Sequence, residues 1–171
     1  MKHTGTNRTI RPSSPLRGPG MVYSIYVALL GLVTLGFGCA DILVWAGASD
    51  GFTWGILTIT GDDFFRWAWG GVVMACGGVL LISGAAHAAT SLHQAAKVAV
   101  GAILVWLIAG TDLLAMLCAA IPADASSPAF LNTPAGFFAG FAPPYTPAVL
   151  LLPFTVGLLL VFRGRVRRHE T

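Results

Sequence analysis

Two aspartates sit inside otherwise apolar stretches: Asp41 in Gly38-Cys39-Ala40-Asp41-Ile42-Leu43, and Asp112 in Gly110-Thr111-Asp112-Leu113-Leu114. An ionised carboxylate at the centre of a membrane helix costs roughly 2.5–3.5 kcal/mol on insertion scales, so it is expected to face a partner, a cavity or another subunit. Asp112 lies deep in its stretch, whereas Asp41 is one turn before Trp45, closer to an interface where it can reach water. Two chemistries are open to this pair. In one, Asp41 and Asp112 line a proton or cation route, with one carboxyl protonated. In the other, preferred here, both pair with Arg66, since one arginine near two acids makes a structural ion pair without transport. Arg66 also has Asp62 four residues before it on the same helix face, and Asp62 reads as the cap of the helix that follows.

Other chemistry-bearing residues carry less. His87 and His93 are six apart, which is not a standard spacing for two ligands on one helix face, and no metal site is expected. Cys39, Cys76 and Cys118 each lie in an apolar run, form no CxxC pair and are odd in number, so they read as small packing residues and not as a disulfide framework. No HExxH, GxSxG, Walker loop or dinucleotide fingerprint occurs. No catalytic residue and no cofactor is therefore expected, and an enzyme is the least favoured class. The sequon Asn7-Arg8-Thr9 falls in a segment read as cytoplasmic, where glycosylation does not reach.

The elements that must position these residues follow from composition. The chain has 171 residues, 56% apolar and only 10% charged, against roughly 25% charge in an ordinary soluble domain. Crossing a hydrocarbon core takes about 20 apolar helical residues, and four stretches reach or approach that length: about 22–47, 64–86, 98–121 and 145–162. The expectation is an all-α integral membrane protein, a four-helix bundle. Pro147 suits a first helical turn, while Pro153 should kink the last span. Ala46-Gly47-Ala48 has the form of a signal-peptide cleavage site, but the apolar run before it is too long, which favours a retained anchor.

Charge orients the bundle. Lys2, Arg8, Arg11 and Arg17 precede the first span, Arg163, Arg165, Arg167 and Arg168 follow the last, and the 87–97 connection ends in Lys97. The opposite loops carry Asp50, Asp62, Asp63 and Asp124. Basic residues mark the cytoplasmic side, so segments 1–20 and 164–171 are expected as cytoplasmic tails, in a plasma membrane. With no aromatics interleaved, these clusters fit lipid headgroups better than nucleic acid. Aromatic belts are expected at Tyr23 and Tyr26 on one side and at Trp45 and Trp54 on the other.

Gly36 with Ala40, and Gly71 with Ala75, have the small-xxx-small spacing of helix contacts in lipid. The loop between the third and fourth spans is rich in proline and aromatics, and Thr133-Pro134 could cap a short interfacial helix with Phe137, Phe138 and Phe141 on one side. The first outer loop is also apolar, with Phe52, Trp54 and the alternating Ile56-Leu57-Thr58-Ile59-Thr60. Interfacial anchoring and a covering partner explain both loops equally well. Gly38–Leu43 and Gly110–Leu114 look alike, but the match is short and chance similarity explains it better than duplication.

The stretch Thr90-Ser91-Leu92-His93-Gln94-Ala95-Ala96-Lys97, between two glycine-rich apolar spans, resembles the small G-type subunit of multisubunit cation/proton antiporters in a T-x-L-H-x-A-x-K pattern. The similarity covers about one quarter of the chain, with Ser91 in place of an arginine, no upstream proline-aspartate pair, and Gly101 one residue early. The resemblance implies an accessory subunit of an ion-translocating complex. From the residues themselves, the expected partners are the lipid bilayer and other membrane subunits or further copies of the chain. The expected role is a small accessory or scaffolding subunit, and the alternative is a proton- or cation-coupled transporter acting as a homo-oligomer.

Overall fold

The computed structural model describes residues 19–120 and 134–169, with side chains in the last helix described as far as Leu158. The protein is mostly helical. In chain order the elements are α1 (Pro19–Trp45), strands β1 (Phe52–Trp54) and β2 (Leu57–Ile59), a π-helical turn (Phe64–Trp69) running directly into α2 (Gly70–Ala85), α3 (Leu92–Ala119), the short α4 (Pro134–Ala139) and α5 (Pro147–His169). Three helical stretches are long and apolar enough to cross a membrane: Gly20–Trp45, Phe64–Ala85 and Leu92–Ala119. Helix α5 contributes a shorter described apolar stretch, Pro147–Leu158, and runs through Pro153, which supplies no backbone donor.

The long helices pack in sequence, α1 on α2, α2 on α3 and α3 on α5. They form because their apolar runs have no polar face to satisfy, and in lipid a helix bonds its whole backbone internally. Leu29, Leu32, Val33, Val79, Ile103 and Leu114 point outward, while Leu30, Met74, Leu81, Val98, Val105 and Leu158 fill the centre. The bundle is therefore apolar inside and out, and fit holds it together.

Glycine sets that fit, though not where spacing alone placed it. A Cβ on Gly38 would stand 2.6 Å from the Ala75 nitrogen and 2.7 Å from the Gly71 oxygen, and one on Gly78 2.6 Å from the Leu35 nitrogen. Gly31 and Gly38 on α1 thus oppose Gly78 and Gly71 on α2 at a seven-residue interval. Gly71 and Ala75 lie at this crossing as expected. Gly36 does not: nothing in this chain lies within 4 Å of its would-be Cβ, so it faces outward from the bundle. Ala40 packs instead against the cluster of Val44, Ile59 and Trp67. The three cysteines are also exposed at the surface of the bundle and do not pack within it.

The all-α expectation gives way between α1 and α2. Helix α1 ends in a Schellman arrangement, with Gly47 at φ 72° and the Ala48 amide bonded to the Leu43 carbonyl at 2.9 Å. An antiparallel hairpin follows, pairing Phe52 with Ile59 and Trp54 with Leu57. Its two-residue turn has positive φ only at Gly55, as type II′ turns require. The alternation in Ile56–Thr60 is thus that of a strand, with Leu57 and Ile59 buried. At the other end of the bundle, α3 starts at Leu92, six residues before the expected span, so His93 and Lys97 ride on its first turns.

Candidate functional site

Below the hairpin four elements converge on Asp112. The hairpin and α5 are joined by a parallel bridge between Leu57 and Tyr145, in which the Tyr145 amide donates to the Ile56 carbonyl at 2.7 Å and the Thr58 amide to the Tyr145 carbonyl at 2.9 Å. This pins Tyr145, and the next residue, Thr146, which directly precedes α5, donates from Oγ1 to Asp112 Oδ2 at 2.5 Å. From the other side Arg66 Nε stands 3.3 Å from Asp112 Oδ1. Both carboxylate oxygens are thus engaged, one by the residue that precedes α5 and one by the π-helical turn.

The turn itself is built by its first residues. Asp63, in an extended conformation, caps it by accepting the Arg66 amide at Oδ1 (2.9 Å). Asp62, expected as the cap, instead accepts Thr60 Oγ1 at 2.8 Å and Trp67 Nε1 at 2.9 Å on one oxygen. These bonds hold the Asp62 carboxyl below the usual carboxylate range. They also tie the end of the hairpin to Trp67, which is buried with Ile59 and Val44. Arg66 lies near the Trp67 ring, 5.4 Å from its centroid, and its ion-pair partner is Asp112, not Asp62. A π-helical turn widens the helix and recurs at functional sites, and here it carries the arginine.

Asp41 was expected in the same ion pair. It is buried at 3% exposure on α1 against Gly71, and its Oδ1 has no hydrogen-bond partner. Among the described residues the ion pair is between Arg66 and Asp112, and Asp41 takes no part in it. Of the expected residues the structure therefore brings Arg66 and Asp112 together, leaves Asp41 outside the pair, and adds Thr146, which sequence reasoning missed. Only the turn glycine and alternation of the hairpin could have hinted at it.

Between the π-helical turn and α3 is a cavity of about 430 Å³ lined by Asp63, Phe65, Arg66, Trp69, Leu107 and Asp112, among others. Its walls are apolar and outward-facing, and its floor carries the ion pair. In the second outer loop, α4 begins at Pro134 as expected, with Phe138 exposed and Phe141 half-buried. The Phe137 side chain lies outside the described residues, as do Thr133, Asp124 and both basic tails' side chains. Among the described residues no group of three or more histidine, cysteine or acidic side chains could hold a metal ion.

Comparison with protein-family models, with curated proteins and with solved structures finds no match. Any functional reading therefore rests on the geometry of the site.

Proposed function

We propose that the chain is a four-span membrane protein with both ends on the cytoplasmic side, acting as a small accessory or scaffolding subunit of a larger membrane complex. The carrying observation is where the polar cluster stops. Beneath Asp41 and Asp112 the centre is filled by Met74, Ala109, Val105, Leu151, Leu81, Ala102, Val98 and Leu158, all buried. From Ala109 to Val98 this is about 16 Å of helix. The buried polar side chains along it, Thr34 and Thr155, bond carbonyls one turn back in their own helices. One chain of this kind offers a charged cluster open to one end and an apolar core below, which suits an ion pair that locks helices together.

Placement in the membrane is supported by the ends. Trp45, Trp54, Phe64, Phe65 and Trp69 are all exposed at the hairpin end, as in an interfacial belt, and Tyr26 lies near the other. Lys97 and the arginines that follow residue 162 fall away from the hairpin, in keeping with the positive-inside rule. The exposed hairpin tip, with Trp54 80% accessible, supplies a surface for a partner.

The test is a photocrosslinker at Trp54, followed by gentle extraction, native sizing and mass spectrometry. A stoichiometric membrane-embedded partner crosslinked at that position is expected. A chain that travels alone, or only with copies of itself, overturns the accessory role and moves the weight to the second reading.

That second reading, a proton- or cation-coupled transporter assembled from several copies, is favoured by one observation: the buried Asp41 Oδ1 without a hydrogen-bond partner. It requires that Asp112→Asn abolish flux in vesicles while leaving the fold intact. Unchanged flux would end it.

A further inference from the structure

The cavity on the outer face of the π-helical turn has a chemistry beyond an accessory role. Arg66 commits Nε to Asp112, and its side chain remains 38% exposed. A guanidinium has five N–H donors in a planar fork, and no hydrogen bond joins the terminal amino groups of Arg66 to any described residue. Asp63 commits Oδ1 to the Arg66 amide, which leaves its second oxygen as an acceptor in the same cavity. Asp63 and Arg66, three residues apart, therefore present an anionic and a cationic group side by side.

The rest of the cavity is apolar and faces outward. Phe65 is 77% exposed, Leu107 57% and Trp69 56%, on stretches long and apolar enough to cross a membrane. A soluble metabolite would gain little from such walls, whereas an acyl chain would cover them. Charge narrows the occupant further. Asp63, Arg66 and Asp112 together carry more negative than positive charge, so a ligand with net negative charge is disfavoured, while one with adjacent phosphate and ammonium complements both groups. A volume of about 430 Å³ lies within the usual range of roughly 300–1,000 Å³ for small-ligand sites.

We infer that this cavity binds a phospholipid with a phosphoethanolamine headgroup, its phosphate on the Arg66 amino groups, its ammonium on Asp63, and its glycerol and upper acyl chain against Phe65, Trp69 and Leu107. Guanidinium and phosphate form bidentate hydrogen bonds well, and a primary ammonium supplies the donors that the Asp63 carboxylate accepts. The inference rests on the membrane placement proposed above but not on the choice between scaffold and transporter.

The experiment uses the full chain in vesicles of equal phosphatidylethanolamine and phosphatidylglycerol, extracted gently and weighed intact by native mass spectrometry. Retained phosphatidylethanolamine is expected in about tenfold excess over phosphatidylglycerol. Leu107→Trp, which fills the cavity from an exposed position and leaves the ion pair in place, should lower retention about tenfold, as should Arg66→Gln. Equal retention of the two lipids, or undiminished retention by folded Leu107→Trp, overturns the inference. So does displacement of the lipid by soluble phosphoethanolamine at equal concentration, which would make the site one for a free headgroup. A chain that inserts with the proposed topology yet retains no lipid sinks this inference alone. A chain that does not span as proposed sinks the placement.

Discussion

Arg66 Nε lies 3.3 Å from Asp112 Oδ1, and the pair joins the π-helical entry to α2 with the interior of α3, where Thr146, just before α5, takes the second carboxylate oxygen. The acid is 7% exposed and the base 38%, so the two ends of the bond live in different surroundings. Losing the arginine strands a buried carboxylate, whereas losing the aspartate leaves a guanidinium that water can still reach.

That asymmetry orders the first prediction. Arg66→Met should destabilise the protein by about 1–3 kcal/mol, the cost of leaving a buried acceptor short of a partner while Thr146 still holds its other oxygen, and Asp112→Leu by less. The double variant should recover most of the loss if the pair is structural. Thermal unfolding in one detergent measures all three, and a double variant no better than Arg66→Met alone would contradict a locking role.

Gly36 and Gly38 should behave oppositely. Gly38→Ala forces a Cβ to 2.6 Å from the Ala75 backbone nitrogen, which cannot yield without parting α1 from α2, so a loss of about 1–3 kcal/mol is expected. Gly36→Ala meets nothing within 4 Å and should stay within about 0.5 kcal/mol of the parent. The same unfolding assay separates them.

Helices α3 and α5 share a side-chain bond away from the ion pair, Trp106 Nε1 donating to Thr155 Oγ1 at 2.6 Å. A double-mutant cycle of Trp106→Phe with Thr155→Val should return a coupling of about 0.6 kcal/mol and no more than about 1.7, the range for such bonds between membrane helices, and additive losses would show the bond to be idle.

The hairpin end should be acid-sensitive through Asp62. Its carboxyl is held below the usual range by bonds from Thr60 and Trp67. A depressed folded-state value adds stability that is complete above the unfolded value of about 4 and is lost as pH falls through the folded one. The protection factors of the 57–67 amides, exchange rates taken relative to the free chain at the same pH, should therefore fall below about pH 4 more in the parent than in Asp62→Asn. An equal fall would mean that the Asp62 bonds contribute nothing.

The three long apolar helices were legible because lipid makes strong demands on composition. A run of apolar residues long enough to cross has few ways to satisfy its backbone except as a helix, which is why the stretches at 22–47, 64–86 and 98–121 emerge as α1, the π-turn with α2, and α3. Arg66 and Asp112 could be paired in advance because a charge in such a run needs a counter-charge. Asp62 and Asp63 could not be told apart, since adjacent aspartates before a helix offer the same capping chemistry and the backbone turn chooses between them.

Residue types alone thus determined that this chain makes long apolar helices carrying a few costly charges, because burial in hydrocarbon penalises every unpaired polar group. Register and long-range pairing were decided only by the tertiary structure. Small-xxx-small spacing fits several rotations of α1, and it is the backbone of α2 that selects Gly38 and turns Gly36 outward. Thr146 is one unremarkable threonine until the bridge between Leu57 and Tyr145 places it on Asp112, a contact between distant parts of the chain that no local pattern encodes.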